Sequence, residues 1–135
     1  MTVLMMLRRN ALFLCLSLLD LAASAQAAEK PVISLAMHYT DARYRMIEAG
    51  FHPFQVVPPE SAAYQRSFAY RFDIPKRFPE AVECAPTGQS PCNFLFVRGS
   101  DEIVEITTIG EHPEALLVRK VRVVSLAEAE ALYEQ

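Results

Sequence analysis

Residues 93–109 read NFLFVRGSDEIVEITTI, and this stretch decides the fold. Asn93 to Arg98 is apolar on both faces, the pattern of a central strand covered on each side. Gly99-Ser100-Asp101 is turn chemistry. Glu102 to Ile109 therefore pairs back along the first strand, with Val104 and Ile106 facing the core. Leu116 to Val124 supplies a third strand, with Lys120 and Arg122 on one side and Val121 and Val123 on the other. Ser125-Leu126-Ala127-Glu128 is a capping box that opens a short alanine-rich helix.

Toward the amino end the pattern loosens. Residues 60–92 are the least regular part. Phe68, Tyr70 and Phe72 alternate with Ala69, Arg71 and Asp73, which suits one strand with an aromatic face. Pro75, Pro79, Pro86 and Pro91 then punctuate a long connection. Phe54 to Val57 reads as a short strand, stopped by Pro58-Pro59. Before it, Ala42, Met46 and Ala49 recur at helical spacing, with Thr40 or Asp41 as the cap. Gly50 is placed as the left-handed residue after that helix, and Phe51 can fold back on Met46. Residues 28–38 form an irregular lead-in. The fold class expected is α+β: one or two helices on a small, mostly antiparallel sheet of three to five strands.

Residues 1–27 read as an address rather than as part of that fold. Arg8 and Arg9 form a basic region, Ala11 to Leu19 a short apolar run, and small-x-small sites follow at Ala23–Ala25 and Ala25–Ala27. That order is a cleaved secretory signal peptide. The apolar run is shorter than the roughly 20 residues a membrane helix needs. The surroundings of Arg8-Arg9 carry little else of a twin-arginine signal. Cys15 sits within the apolar run behind bulky residues, unlike a lipid-attachment site. Residues 28–135 are then expected to form a single domain in an oxidising, periplasmic compartment, with no transmembrane segment after cleavage.

The leader takes Cys15 with it and leaves Cys84 and Cys92. An even pair in a short exported chain reads as a disulfide, and the seven residues between them are turn-formers that let the two approach. Closing so short a loop is worth about 2–3 kcal/mol. The spacing argues against a redox C-x-x-C site.

The formal charge is −3. A mildly acidic chain lacks the footprint of a nucleic-acid binder and the basic cluster of a protein that sits on anionic lipid. His38, His52 and His112 show no helical i, i+4 pairing, and two of them precede proline, so no metal set is expected from spacing. No serine lies in a G-x-S-x-G context. The four glycines fall in turns rather than in a phosphate-cradling loop, so no cofactor is implied.

Tyr64 to Glu80 (YQRSFAYRFDIPKRFPE) is the candidate partner-binding segment. It interleaves Tyr64, Phe68, Tyr70, Phe72 and Phe78 with Arg66, Arg71, Lys76 and Arg77. Aromatics and arginine are enriched at protein contact sites. The competing reading makes the same aromatics the core face of a strand.

The run Cys84-Ala85-Pro86-Thr87-Gly88-Gln89-Ser90-Pro91-Cys92-Asn93-Phe94-Leu95-Phe96 resembles a C-x-x-T-G-x-x-x-C-x-F signature of small exported, uncharacterised proteins of Gram-negative bacteria. Ala49-Gly50-Phe51-His52-Pro53 is similar to a helix ending of the same group. The resemblance implies a periplasmic location and a structural disulfide, and carries over no activity. The function expected is a non-catalytic binding or accessory module for an envelope or secreted protein, such as an accessory factor, inhibitor or immunity protein. The alternative is a small metal-binding protein or enzyme whose site only the fold assembles.

Overall fold

A computed structural model describes residues 29–68, 70–86 and 88–134. In chain order the elements are α1 (Tyr39–Glu48), β1 (His52–Pro53), α2 (Ala62–Arg66), α3 (Asp73–Arg77), β2 (Ala81–Cys84), β3 (Cys92–Arg98), β4 (Glu102–Ile109), β5 (Leu117–Val124) and α4 (Leu126–Ala131). A short 3-10 turn at Pro113–Ala115 precedes β5. The leader read over residues 1–27 lies outside the described residues. Among those described, no helix is long and apolar enough to cross a membrane.

The strands form one antiparallel sheet in which β3 pairs with β4 and β4 with β5. β1 and β2 share the remaining edge of β3: β1 takes Val97 and Phe96, and β2 takes Phe94, Asn93 and Cys92. The β3–β4 register runs unbroken from Cys92 opposite Thr108 to Arg98 opposite Glu102. Alternation then sorts the side chains. On one face Phe94, Phe96, Val104, Ile106 and Val118 meet α1, α2 and α3. On the other, Leu95, Ile103 and Val124 meet Val82, Ala129 of α4 and Leu132 just after it. Helices on both faces explain why NFLFVR is apolar throughout. They also bury Ile103 and Glu105 of β4, opposite the expected core side, so both sides of that strand are interior.

The helix ends follow from local chemistry. Gly50, at φ +83°, ends α1 with Phe51 N–H donating to Met46 O and Gly50 N–H to Ile47 O, each at 3.0 Å. That is the expected double ending, and Phe51 and Met46 lie in one core. Ser125 Oγ accepts from Glu128 N–H, and the Glu128 carboxylate accepts from Ser125 N–H at 2.7 Å, completing the expected capping box. Neither Thr40 nor Asp41 caps α1. The helix starts at Tyr39 after His38, which makes no side-chain cap. Tyr39 N–H instead donates to Leu116 O at 2.9 Å, and His38 bridges to Leu117. A neighbouring strand satisfies the orphan donor that a side chain would otherwise meet.

Two further expectations are corrected. Phe54 to Val57 forms no strand. Only His52–Pro53 pairs, because β2 occupies the rest of the β3 edge, and Gln55 Nε2 donates to Ala81 O at 2.8 Å. Phe68, Tyr70 and Phe72 do not share a strand either. The segment folds into α2 and α3, with Ser61 capping α2 through Tyr64 N–H. Tyr64 with Phe68 and Ile74 with Phe78 are i, i+4 pairs whose buried sides settle the period as helical.

Candidate functional site

The α2–α3 segment divides the nine candidate contact residues into two sets. Tyr64, Phe68 and Phe78 turn inward and are buried, with the Tyr64 and Phe68 ring centroids 4.9 Å apart. Arg71 is buried as well. Its Nη1 donates to Gly110 O at 3.0 Å, its Nε lies 3.3 Å from Asp73, and its Nη2 has no partner among the described residues. These four belong to the interior, which corrects their place in a contact surface. Arg66, Tyr70, Phe72, Lys76 and Arg77 remain outside. Tyr70 is 76% and Phe72 57% exposed. Arg77 forms an ion pair with Glu114 and lies over the Phe78 ring at 5.6 Å.

The segment is tied to the rest of the fold, so its outer side chains are presented on a fixed frame. Cys84 N–H donates to Ser67 O at 3.0 Å, tying α2 to β2. The Cys84–Cys92 disulfide joins β2 to β3 where the two cysteines stand opposite each other. Arg71 anchors the loop between the helices to Gly110. A Cβ at Gly110 would stand 2.5 Å from Ala115 O, and its φ of +142° also favours glycine.

Sequence reasoning missed the buried group between this segment and β2. Glu80 is fully buried just before β2. Its Oε1 accepts from Tyr39 Oη at 2.7 Å and from Arg43 Nε at 2.6 Å, while Oε2 has no partner among the described residues. Tyr39 stacks on Phe94 at 3.9 Å and meets Phe78 edge-on at 4.9 Å. Burial, and then the Glu80 charge, hold the Tyr39 phenol well above its ordinary range. The cluster ties α1 to the entry of β2. A proline-flanked glutamate reads locally as a solvated loop charge, and its partners lie about forty residues away, so no local pattern marks it.

A cleft of about 530 Å³ opens beside the disulfide, lined in part by Arg66, Ser67, Glu83 and Tyr133. Burial raises the Glu83 carboxyl, and a 2.8 Å hydrogen bond from Asn93 pulls against that. Burial likewise raises the Tyr133 phenol, which donates to Gln55 Oε1 at 2.8 Å. The cleft can offer a protonatable carboxyl and an arginine to a small polar molecule. The histidines stand apart: His38 precedes α1, His52 lies on β1, and His112 precedes the 3-10 turn. Among the described residues no group of three or more His, Cys, Asp or Glu could hold a metal.

No family model, curated protein or solved structure matches the chain, so its functional reading rests on these residues.

Proposed function

We propose that the protein is an exported, non-catalytic binding module whose contact surface is the exposed side of the α2–α3 segment. One observation carries this: Tyr70 and Phe72 stand largely in water on a segment whose other aromatics are buried. Burying one such aromatic at an interface is worth about 1.5–3 kcal/mol, enough to make a contact centre. Arg66, Lys76 and Arg77 accompany them with the charge such surfaces favour. The leader order of residues 1–27, the Cys84–Cys92 disulfide and the resemblance of residues 84–94 to exported Gram-negative proteins support a periplasmic location.

The test is crosslinking of the tagged full-length chain in its own cell envelope, followed by mass spectrometry. A stoichiometric protein partner is expected, with crosslinks from Lys76 and its neighbours, and Tyr70→Ala/Phe72→Ala should abolish its capture. Partner capture unchanged by that double substitution overturns the surface. No partner above background overturns the module reading and favours the cleft at Glu83 as the site of a small-molecule binder or enzyme.

A further inference from the structure

β5 is an edge of the sheet, and among the described residues only its first residues are covered on the open side. Ala36 N–H donates to Val118 O and Val118 N–H to Met37 O, each at 2.8 Å. Ala36 then adopts φ +63°, and the chain turns off the strand there. Residues 120–123 pair with β4 on one side, with Arg119 left over at a register shift, and residues 119–123 pair with no strand on the other side among the described residues. Antiparallel geometry turns every second N–H and C=O of such a stretch outward. The edge therefore offers a row of unpaired donors and acceptors.

A groove runs beside this row. The lead-in passes over the sheet and is pinned to α1 by Arg45 Nη1 donating to Val32 O at 2.8 Å. Between it and β5 lies an apolar groove of about 170 Å³ walled by Ile33, Phe51, Val104, Val121 and Val123. Val123 is 64% exposed and Val121 37%. On the opposite face of the strand stand Lys120 and Arg122, beside Thr107 and Glu105 of β4.

Charge decides the occupant. Lys30, Arg119 and Lys120 have no carboxylate at ion-pair distance among the described residues, whereas Glu102, Glu105 and Glu128 are each already paired with an arginine. The edge is thus locally cationic on a chain whose net charge is −3. A second copy pairing β5 with β5 about Val121 would set Lys120 opposite the partner copy's arginine at position 122, and like charges directly opposite are destabilising. An extended acidic segment meets no such repulsion.

We propose that β5 accepts, as an added strand along 119–123, an extended segment of another protein in which acidic and apolar residues alternate. Its apolar side chains fill the groove over Val121 and Val123, and its carboxylates face Lys120, with the unpaired Arg119 adding positive charge at the start of the stretch. The mode is strand addition, with main-chain hydrogen bonds giving affinity and the alternating side chains giving specificity. This deepens the binding-module reading and rests on it, naming a second surface and the chemistry of what docks there.

The test uses the exported protein, isotope-labelled, titrated with two end-capped heptapeptides, Glu-Val-Glu-Val-Glu-Val-Glu and its lysine counterpart. The acidic peptide is expected to shift the amides of residues 119–123 and slow their hydrogen exchange. The lysine peptide should bind at least about tenfold more weakly. Arg119→Glu/Lys120→Glu, at exposed positions, should reverse that preference. Equal binding of the two peptides, shifts confined to other elements, or no binding overturns the proposal. Concentration-dependent dimerisation that protects residues 119–123 overturns it in favour of a second copy. Tyr70→Ala/Phe72→Ala should leave peptide affinity within about twofold, since distant sites act independently. Loss of the envelope partner in that variant and loss of the peptide here are therefore separate failures.

Discussion

Glu80 and Glu105 are both buried carboxylates answered by an arginine, and the two are held in opposite ways. Glu105 is paired within the meander. Arg122 stands directly opposite it across the β4–β5 register and also reaches Glu128 at 3.5 Å, so one cation ties the sheet to α4. Glu80 is paired across the chain. Arg43 and Tyr39 come from α1, and the carboxylate sits where the irregular middle of the sequence enters β2. The first pair follows once the strands align. The second exists only because the whole fold brings distant segments together. Both arginines are partly in water and both carboxylates are buried, and Glu80 differs in also facing a phenol among stacked rings.

The difference can be broken most severely at Glu80. Glu80→Ala leaves Arg43 and the Tyr39 hydroxyl facing an uncompensated gap, and a loss of about 3–5 kcal/mol is expected. It would be read as a fall in the urea midpoint at unchanged slope. Glu80→Gln preserves the shape and part of the hydrogen bonding, so it should cost clearly less. Equal losses would show that the charge, not filled space, holds α1 to β2. Next in size is the staple beside it. Cys84→Ala/Cys92→Ala should cost about 2–3 kcal/mol, through freedom regained by the unfolded chain. A much smaller loss would mean the β2–β3 pairing is self-sufficient. Smaller again is Arg122→Ala, at about 1–2 kcal/mol, because water can reach the space the guanidinium vacates and partly solvate Glu105. A loss matching that of Glu80→Ala would erase the contrast between the two carboxylates.

The same contrast explains what could be read beforehand. From Asn93 to Glu128 each step is local: a two-faced apolar strand, a turn, an alternating strand, a third strand and a capping box. Every one of these appears in the structure within a residue or so. The Gly50 ending of α1 was legible for the same reason, since it rests on two backbone bonds within one turn. The middle was not. YQRSFAYRF supports a period of two through Phe68, Tyr70 and Phe72, and a period of four through Tyr64 and Phe68. Only contact with the sheet selects the second. The candidate contact segment was therefore found as a stretch, but its division into buried Tyr64, Phe68, Arg71 and Phe78 and exposed Tyr70 and Phe72 had to come from the fold. β2 escaped notice because its four residues follow a proline-rich run. The open edge of β5 depends on where the lead-in turns away, which no periodicity records.

The smallest effect comes from two carboxyls whose proton affinities are shifted in opposite directions. Glu83 stands above the ordinary value of 4.5, chiefly because burial disfavours its charge. The folded protein then binds that proton more tightly than the unfolded chain does. Glu83 therefore costs stability as pH rises from about 4.5 through its folded value. Glu128 stands below 4.5, chiefly because Ser125 N–H, and then the Ser125 hydroxyl, hydrogen-bond its ionised form. Its contribution is present above 4.5 and is lost as pH falls through the depressed value. Urea midpoints for the parent, Glu83→Gln and Glu128→Gln, followed from about pH 3 to about pH 7, separate the two. Glu83→Gln should gain on the parent as pH rises. Glu128→Gln should trail the parent near neutrality and converge with it in acid. If Glu128→Gln instead runs parallel to the parent into acid, the capping box of α4 is held by shape alone, and Arg122 has no charged partner there to share with Glu105.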